Sequence, residues 1–279
     1  MDQQEYIVKP DVLGYDDLVK LVPFFEGKHG LVNVLSKIFA LDQVNATHGA
    51  YCDTPGPQFV NRMLEGMNIK LDIRNEQVLD NMPNGQFITV SNHPYGALDG
   101  IILIKILTDR YPKFRVMVNM ILNYISAMRP NFIAVDALQS NDPKKQAVSR
   151  NGLREAMMQV KSGEPLGFFP AGAVSKFTSH LRIEDREWQP TVVRLIQKLN
   201  VPVVPIYFHG HNSLWFNALG LISWQLRTLR LPREVFNKRN TTFRISVGDP
   251  ITPEQLAQHP DLNDLGKFLK DSTYNLRHW

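Results

Sequence analysis

Cysteine is almost missing from this 279-residue chain: Cys52 stands alone, so no intrachain disulfide can form and a cysteine-rich metal site is excluded. A reducing, cytoplasmic setting is the expectation. No uncharged apolar run reaches the roughly 18 residues that a membrane-spanning helix needs. Met1-Asp-Gln-Gln-Glu5 has neither the basic start nor the apolar core of a signal peptide. The patterns GxSxG, GxxxxGKS/T and GxGxxG are absent, which counts against a serine hydrolase, a P-loop enzyme and a dinucleotide binder. Its eight histidines include no HExxH pair, and His209-Gly-His211 reads as loop, so no metal and no cofactor are expected. Neither sign of charge is in large excess: a net +4 and a pI near 9.1 suit an anionic partner without selecting one. Without an RRM or zinc-finger signature, nucleic acid is not the expected partner.

What is present centres on Phe87-Ile-Thr-Val-Ser-Asn-His-Pro-Tyr-Gly-Ala-Leu-Asp-Gly100. A β-branched run ending at Ser91 reads as a strand, and Pro94 and Gly96 force a turn. Ile101, Ile102, Leu103, Ile106 and Leu107 then resume with helical spacing. His93 therefore sits where a strand hands over to a helix, and Asp99 near the start of that helix. Two readings of Asp99 stand side by side: a carboxylate that fixes the tautomer of a basic His93, or a plain helix cap.

Around this stretch, residues 11–67 read as short helices broken by Pro and Gly. One of them carries an apolar stripe of Leu31, Val34, Leu35, Ile38 and Phe39, read first as core packing and second as a bilayer contact beside Lys28, His29 and Lys37. Thr54-Pro-Gly-Pro57 opens another helix, and Met67 to Arg74 alternates like a strand. Further strands are expected at 114–118, 132–136, 166–169, 201–208 and 242–247. The two prolines of 201–208 argue for an edge or a bulge. A helix capped by Asn141 or Asp142 with Pro143 at its first position runs to Gly163, another covers 187–199, and two more divided near Pro260 end the chain. Lys144, Lys145, Arg150, Arg154 and Lys161 read as the solvated face of the first of these. The alternation predicts an α/β fold: a mixed, largely parallel sheet flanked by helices over 69–279, with an N-terminal helical extension over 1–68. Ligands in such sheets collect at the carboxyl ends of strands, where His93 and the loop Pro170 to Ser175 both fall. The stretch Leu214 to Leu231 mixes apolar and basic residues, which suits a buried segment with a basic exit, a bilayer interface, or an acidic carrier protein or coenzyme A phosphates.

Over about residues 80–250 the chain resembles the lysophospholipid (glycerolipid) acyltransferase family. Asn92-His93 through Asp99-Gly100 resembles its first block, with five residues between His and Asp where four is commonest; the wider spacing is similar to a hemolysin-like bacterial branch that completes ornithine and glycine lipids. Arg129 to Asp136 sits where the second block falls. Phe169-Pro-Ala-Gly-Ala-Val-Ser175 resembles the third, usually Phe-Pro-Glu-Gly-Thr-Arg-Ser, and Val201 to Ile206 the fourth. The resemblance implies an O-acyltransferase in which His93 takes the proton of a lyso-lipid hydroxyl as it attacks an acyl thioester of acyl carrier protein or coenzyme A. Asp99 then orients the ring, and Asn92, Gly96, Phe169, Pro170, Ala171, Gly172, Ser175 and Lys176 bind substrate. Backbone amides at Pro170 to Gly172 or near Asp99 would hold the oxyanion. It also implies peripheral contact with the inner face of the cytoplasmic membrane. Ala171 and Val174 replace the family's glutamate and phosphate-gripping arginine, which points away from lysophosphatidic acid and toward a zwitterionic or amino-acid lyso-lipid, an amino-acid lyso-lipid or a lysophospholipid being the expected acceptor. A fold retained for lipid binding without chemistry is the alternative.

Overall fold

A computed structural model describes residues 8–82, 86–136, 142–180 and 182–278. Met1 to Glu5 and the alternative cap Asn141 lie outside them. Helices α1 (Tyr15–Leu21), α2 (His29–Ile38), α3 (Leu41–Tyr51) and α4 (Pro57–Gly66) come first, then β1 (Lys70–Arg74), β2 (Ile88–Ser91), α5 (Ala97–Thr108), β3 (Arg115–Asn119) and β4 (Phe132–Val135). They are followed by α6 (Pro143–Lys161), β5 (Leu166–Phe168), a small hairpin of β6 (Lys176–Phe177) and β7 (Ile183–Glu184), α7 (Pro190–Leu199) and β8 (Val203–Phe208). The chain continues with α8 (Leu214–Ile222), α9 (Trp224–Leu229), α10 (Leu231–Phe236), β9 (Thr242–Val247), α11 (Pro253–Ala257) and α12 (Leu262–Tyr274).

The main sheet has the order β1-β9-β8-β2-β5-β3-β4. Five neighbours, β8 through β4, run parallel, and the β9–β1 pair runs against them. Strand β2 lies in the middle and is fully buried, as its unbroken Ile-Thr-Val run requires of a strand covered on both faces. On one face α4, α5 and α10 pack through Phe59, Met63, Ile102, Leu103, Val235 and Phe236. On the other, α6, α7 and α12 pack through Ala156, Val160, Val193, Ile196, Leu265 and Leu269. Helix α5 is apolar on nearly every side and correspondingly buried from Leu98 to Thr108 except at Lys105. Helix α6 approaches β4 so closely that a Cβ on Gly152 would stand 2.3 Å from the Ala134 carbonyl oxygen.

Three expectations change. Of the edge and the bulge expected for β8, the edge fails: the strand is interior, between β9 and β2. Pro205 lies opposite Gly248, whose N–H its carbonyl accepts at 2.8 Å, so its own missing N–H leaves that pair with one bond; beyond it the antiparallel pairing resumes one residue out of step at Val203–Ile251, as across a bulge. Second, the α2 stripe does not pack inward: Val32 is buried, whereas Leu31, Val34 and Ile38 are exposed. Third, 214–231 is no buried segment; Leu214, Trp215, Leu221, Ile222, Trp224, Leu226 and Leu229 all face outward.

Candidate active site

Strands β2 and β5 are neighbours, yet the chain leaves β2 through α5 toward β3 and leaves β5 through α7 toward β8, across opposite faces. Their diverging ends open a crevice. Into it project the turn after β2, with His93, and the loop after β5, from Phe169 to Ser175.

The turn depends on Gly96. It precedes α5 at φ 79°, in the left-handed half of backbone space, and a Cβ there would press on Val174 and Leu231 at 3.1 Å each. This turn carries the Asp99 side chain back under it. Asp99 Oδ2 accepts the Tyr95 and Gly96 amides, both at 2.9 Å, and lies 3.0 Å from His93 Nδ1, a close contact bent off the ring N–H direction. The carboxylate oxygen that caps α5 is therefore also the one that stands against the His93 ring. Asp99 is completely buried, and that burial pushes its carboxyl above the usual range, against the pull of His93 and of the two amides. The His93 ring lies against that of Phe169, tilted by 33° with 4.4 Å between ring centres.

A cavity of about 460 Å³ begins at His93, Gly96, Phe169 and Gly172. Its wall runs over Ile101, Met117, Leu122, Ile125, Met128, Phe132 and Leu153, an apolar lining with a polar end at Asn119, Asp136, Gln146, Ser149 and Arg150. Arg150, read from sequence as part of a solvated face, lines this end.

The other predicted binding residues stand elsewhere. Asn92 does not face the cavity: its amide donates to the Phe208 carbonyl at 2.9 Å and accepts the Phe208 N–H at 2.7 Å, tying the turn to the end of β8. Ala171 is packed in the core beneath α7, with its carbonyl accepting from Arg186. Pro170 is buried, its carbonyl holding the Gln189 amide. Lys176 is exposed on the β6–β7 hairpin. Ser175 is buried behind His93. Of the amides considered for an oxyanion, those of Tyr95 and Gly96 are taken by Asp99, that of Asp99 by the Gly96 carbonyl, and that of Gly172 by the Phe169 carbonyl. His209 contacts Ser246 and His211 the Asn212 carbonyl, as loop histidines do.

Two residues were missed. Arg227 of α9 donates to the carbonyls of Val174 (2.8 Å) and Ser175 (2.6 Å) and lies over the Phe216 ring, so a guanidinium from a distant helix reaches the loop where the resembling family carries its own arginine. Desolvation lowers its pKa. Asp185, between β7 and α7, is buried against the backbone of His93. Neither belongs to a sequence block, and only the fold brings them in.

An acyltransferase family model matches residues 29–279. The chain is 29% identical over 266 residues to a lyso-glycine lipid O-acyltransferase of Bacteroides thetaiotaomicron, covering 92% of each protein. It is 29% identical to a protein of the same name from Phocaeicola vulgatus, covering 92% of this chain and 89% of that one. Among solved structures, the 1-acyl-sn-glycerophosphate (LPA) acyltransferase PlsC of Thermotoga maritima aligns over 94% of this chain and 92% of its own, at 15% identity and a TM-score of 0.49.

Proposed function

The chain belongs to the acyltransferase family, and from that premise we propose that it esterifies the hydroxyl of an amino-acid lyso-lipid, of the lyso-glycine type, with a fatty acyl group from a thioester. The observation that carries this reading is the His93–Asp99 pair, 3.0 Å apart at the mouth of an apolar cavity. His93 Nε2 takes the proton as the acceptor oxygen attacks the thioester carbonyl. The tetrahedral intermediate collapses, the C–S bond breaks, and the imidazolium returns its proton to the departing thiolate. Asp99 stabilises that imidazolium, and a carboxylate made more basic by burial is the better partner for it. In this reading the oxyanion is held by amides of the first turn of α5, Ala97 and Leu98, or by that of Ala171. The apolar cavity wall suits a fatty chain. Acyl carrier protein or coenzyme A brings the acyl group, and no cofactor takes part.

Two things support this acceptor: Val174 itself offers a phosphate no charge-assisted contact, and both relatives are named for a lyso-glycine lipid. Among the described residues no helix is long and apolar enough to cross a membrane. Contact with the bilayer is peripheral in this reading, on the inner face of the cytoplasmic membrane. It runs through the outward-facing residues of α8 and α9, flanked by α2, whose Ile38 carbonyl accepts from Arg233 of α10. Exposed Trp215 and Trp224, followed in sequence by Arg230, Arg233 and Arg239, have interfacial character.

The test incubates the protein with acyl carrier protein and coenzyme A thioesters, each against lyso-glycine lipid, lyso-ornithine lipid and lysophosphatidic acid, with products read by mass spectrometry. Esterified amino-acid lipid is expected. Preference for lysophosphatidic acid would overturn the reading of Val174, and lipid retention without turnover would favour a binding protein.

A further inference from the structure

Every polar atom of Asp185 is engaged. Oδ1 accepts the His93 N–H at 3.1 Å and the Ser175 hydroxyl at 2.5 Å, and Oδ2 accepts Trp188 Nε1 at 3.4 Å. Its own N–H donates to the Tyr274 hydroxyl at 2.7 Å, and its carbonyl accepts Lys270 Nζ at 2.9 Å. Ser175 in turn donates its N–H to the His93 carbonyl at 2.9 Å. Both backbone polar groups of His93 are therefore held by two residues that are bonded to each other.

From this ring of bonds we infer that Asp185, acting through Ser175, is a positioning residue for the acyl transfer: it fixes the backbone of His93, while Asp99 fixes the ring. The inference rests on His93 being the base. The turn itself does not need Asp185. Asn92 already ties it to Phe208, Tyr95 Oη donates to the His209 carbonyl at 2.6 Å, and Asp99 caps α5. What Asp185 adds is the position of one residue within that turn, at the point where the β5 loop meets it. A carboxylate this deep is costly, and burial drives its pKa up against the pull of Ser175, the His93 charge and amide, and Trp188. Three donors converge on that carboxylate, and two of them belong to the site. Misplacing a reacting group by about 1 Å costs on the order of 10²-fold in rate, so a bond that pins the base by its backbone has leverage on kcat without touching either substrate.

The experiment compares Asp185→Ala, Asp185→Asn and Ser175→Ala with His93→Ala, measuring kcat, KM and thermal unfolding on the full chain. Asp185→Ala is expected to lose about 10²-fold in kcat with KM unchanged. Asp185→Asn keeps an acceptor oxygen for His93 and Ser175, gives up only the 3.4 Å Trp188 contact, and recovers most of the rate. Ser175→Ala keeps its amide bond to His93 and falls between them. A wild-type kcat in Asp185→Ala, a loss in KM instead, or an Asp185→Asn as slow as the alanine variant overturns the proposal. Should Asp185→Ala not fold, a wild-type kcat in Ser175→Ala does so. An active His93→Ala overturns the base itself, whereas an inert His93→Ala beside a fast Asp185→Ala removes only the role of Asp185.

Discussion

Asp99 Oδ2 lies 3.0 Å from His93 Nδ1, and the same oxygen accepts the two amides that open α5. One atom serves both the ring and the helix, and substitution can separate the two services.

Asp99→Asn can turn its carbonyl oxygen to where Oδ2 stands, keeping the cap while losing the charge. Its kcat should fall by about 10²–10⁴ with little change in KM. Asp99→Ala loses the cap as well and should be less stable by a further ~0.5–2 kcal/mol. Steady-state kinetics and urea unfolding of both variants read the two effects apart. Equal activity in Asp99→Asn and wild type would leave Asp99 a cap alone.

Asp99 also sets a pH dependence. Its carboxyl lies above the ordinary 3.8 in the folded chain, chiefly through burial. Between that value and the folded one, the native state binds more protons than the unfolded state, so this contribution is full below about pH 3.8 and lost as pH rises through the folded value. Urea unfolding of wild type and Asp99→Asn from pH 4 to 7 should therefore show the variant gaining on the wild type as pH rises. Parallel stability curves would refute it.

Gly152 limits how close α6 may come to β4. Alanine ordinarily favours a helix interior by about 1 kcal/mol over glycine. Here its methyl would meet the Ala134 carbonyl oxygen at 2.3 Å and Val135 Cγ1 at 2.7 Å. Gly152→Ala should destabilise by about 1–3 kcal/mol through overpacking. Because Ser149, Arg150 and Leu153 on the same helix line the cavity, its acyl-chain preference should shift in competition assays with thioesters of different length. Unchanged stability would show that α6 yields at no cost.

The outward residues of α8 and α9 can be changed without touching the core. Leu221, Ile222 and Trp224 are 70%, 78% and 59% exposed, and each stands to contribute roughly 1.5–3 kcal/mol on leaving water. Replacing all three with serine should weaken sedimentation with anionic vesicles by about 10²-fold or more and leave the melting temperature near that of wild type. Undiminished vesicle binding would move the contact elsewhere.

The legible parts of this molecule are the local ones. Strand β9 and the division of the last two helices at Pro260 follow from short-range pattern, and so does the meeting of His93 with Asp99, six residues apart across a glycine turn. What escaped is what only the fold brings together. Asp185 stands 92 residues from His93, and Arg227 reaches Val174 across 53. Asn92 belongs to the block that suggested the site, but spacing does not say that its amide faces β8 instead of the cavity. An apolar stripe on α2 announces a partner without saying whether the partner is the chain's own core. The prolines of β8 suggested an edge or a bulge, and only the sheet order removes the edge.

The Asn92 clamp gives the site a clock. Phe208 N–H sits in β8, yet its acceptor is the Asn92 side chain, one residue before His93. That amide can exchange its hydrogen with solvent only when the turn bearing His93 lets go of the sheet. Its exchange rate therefore times the opening of the site, and a lipid that binds in the cavity beside His93 should slow it while amides of β1, at the far side of the sheet, keep their pace.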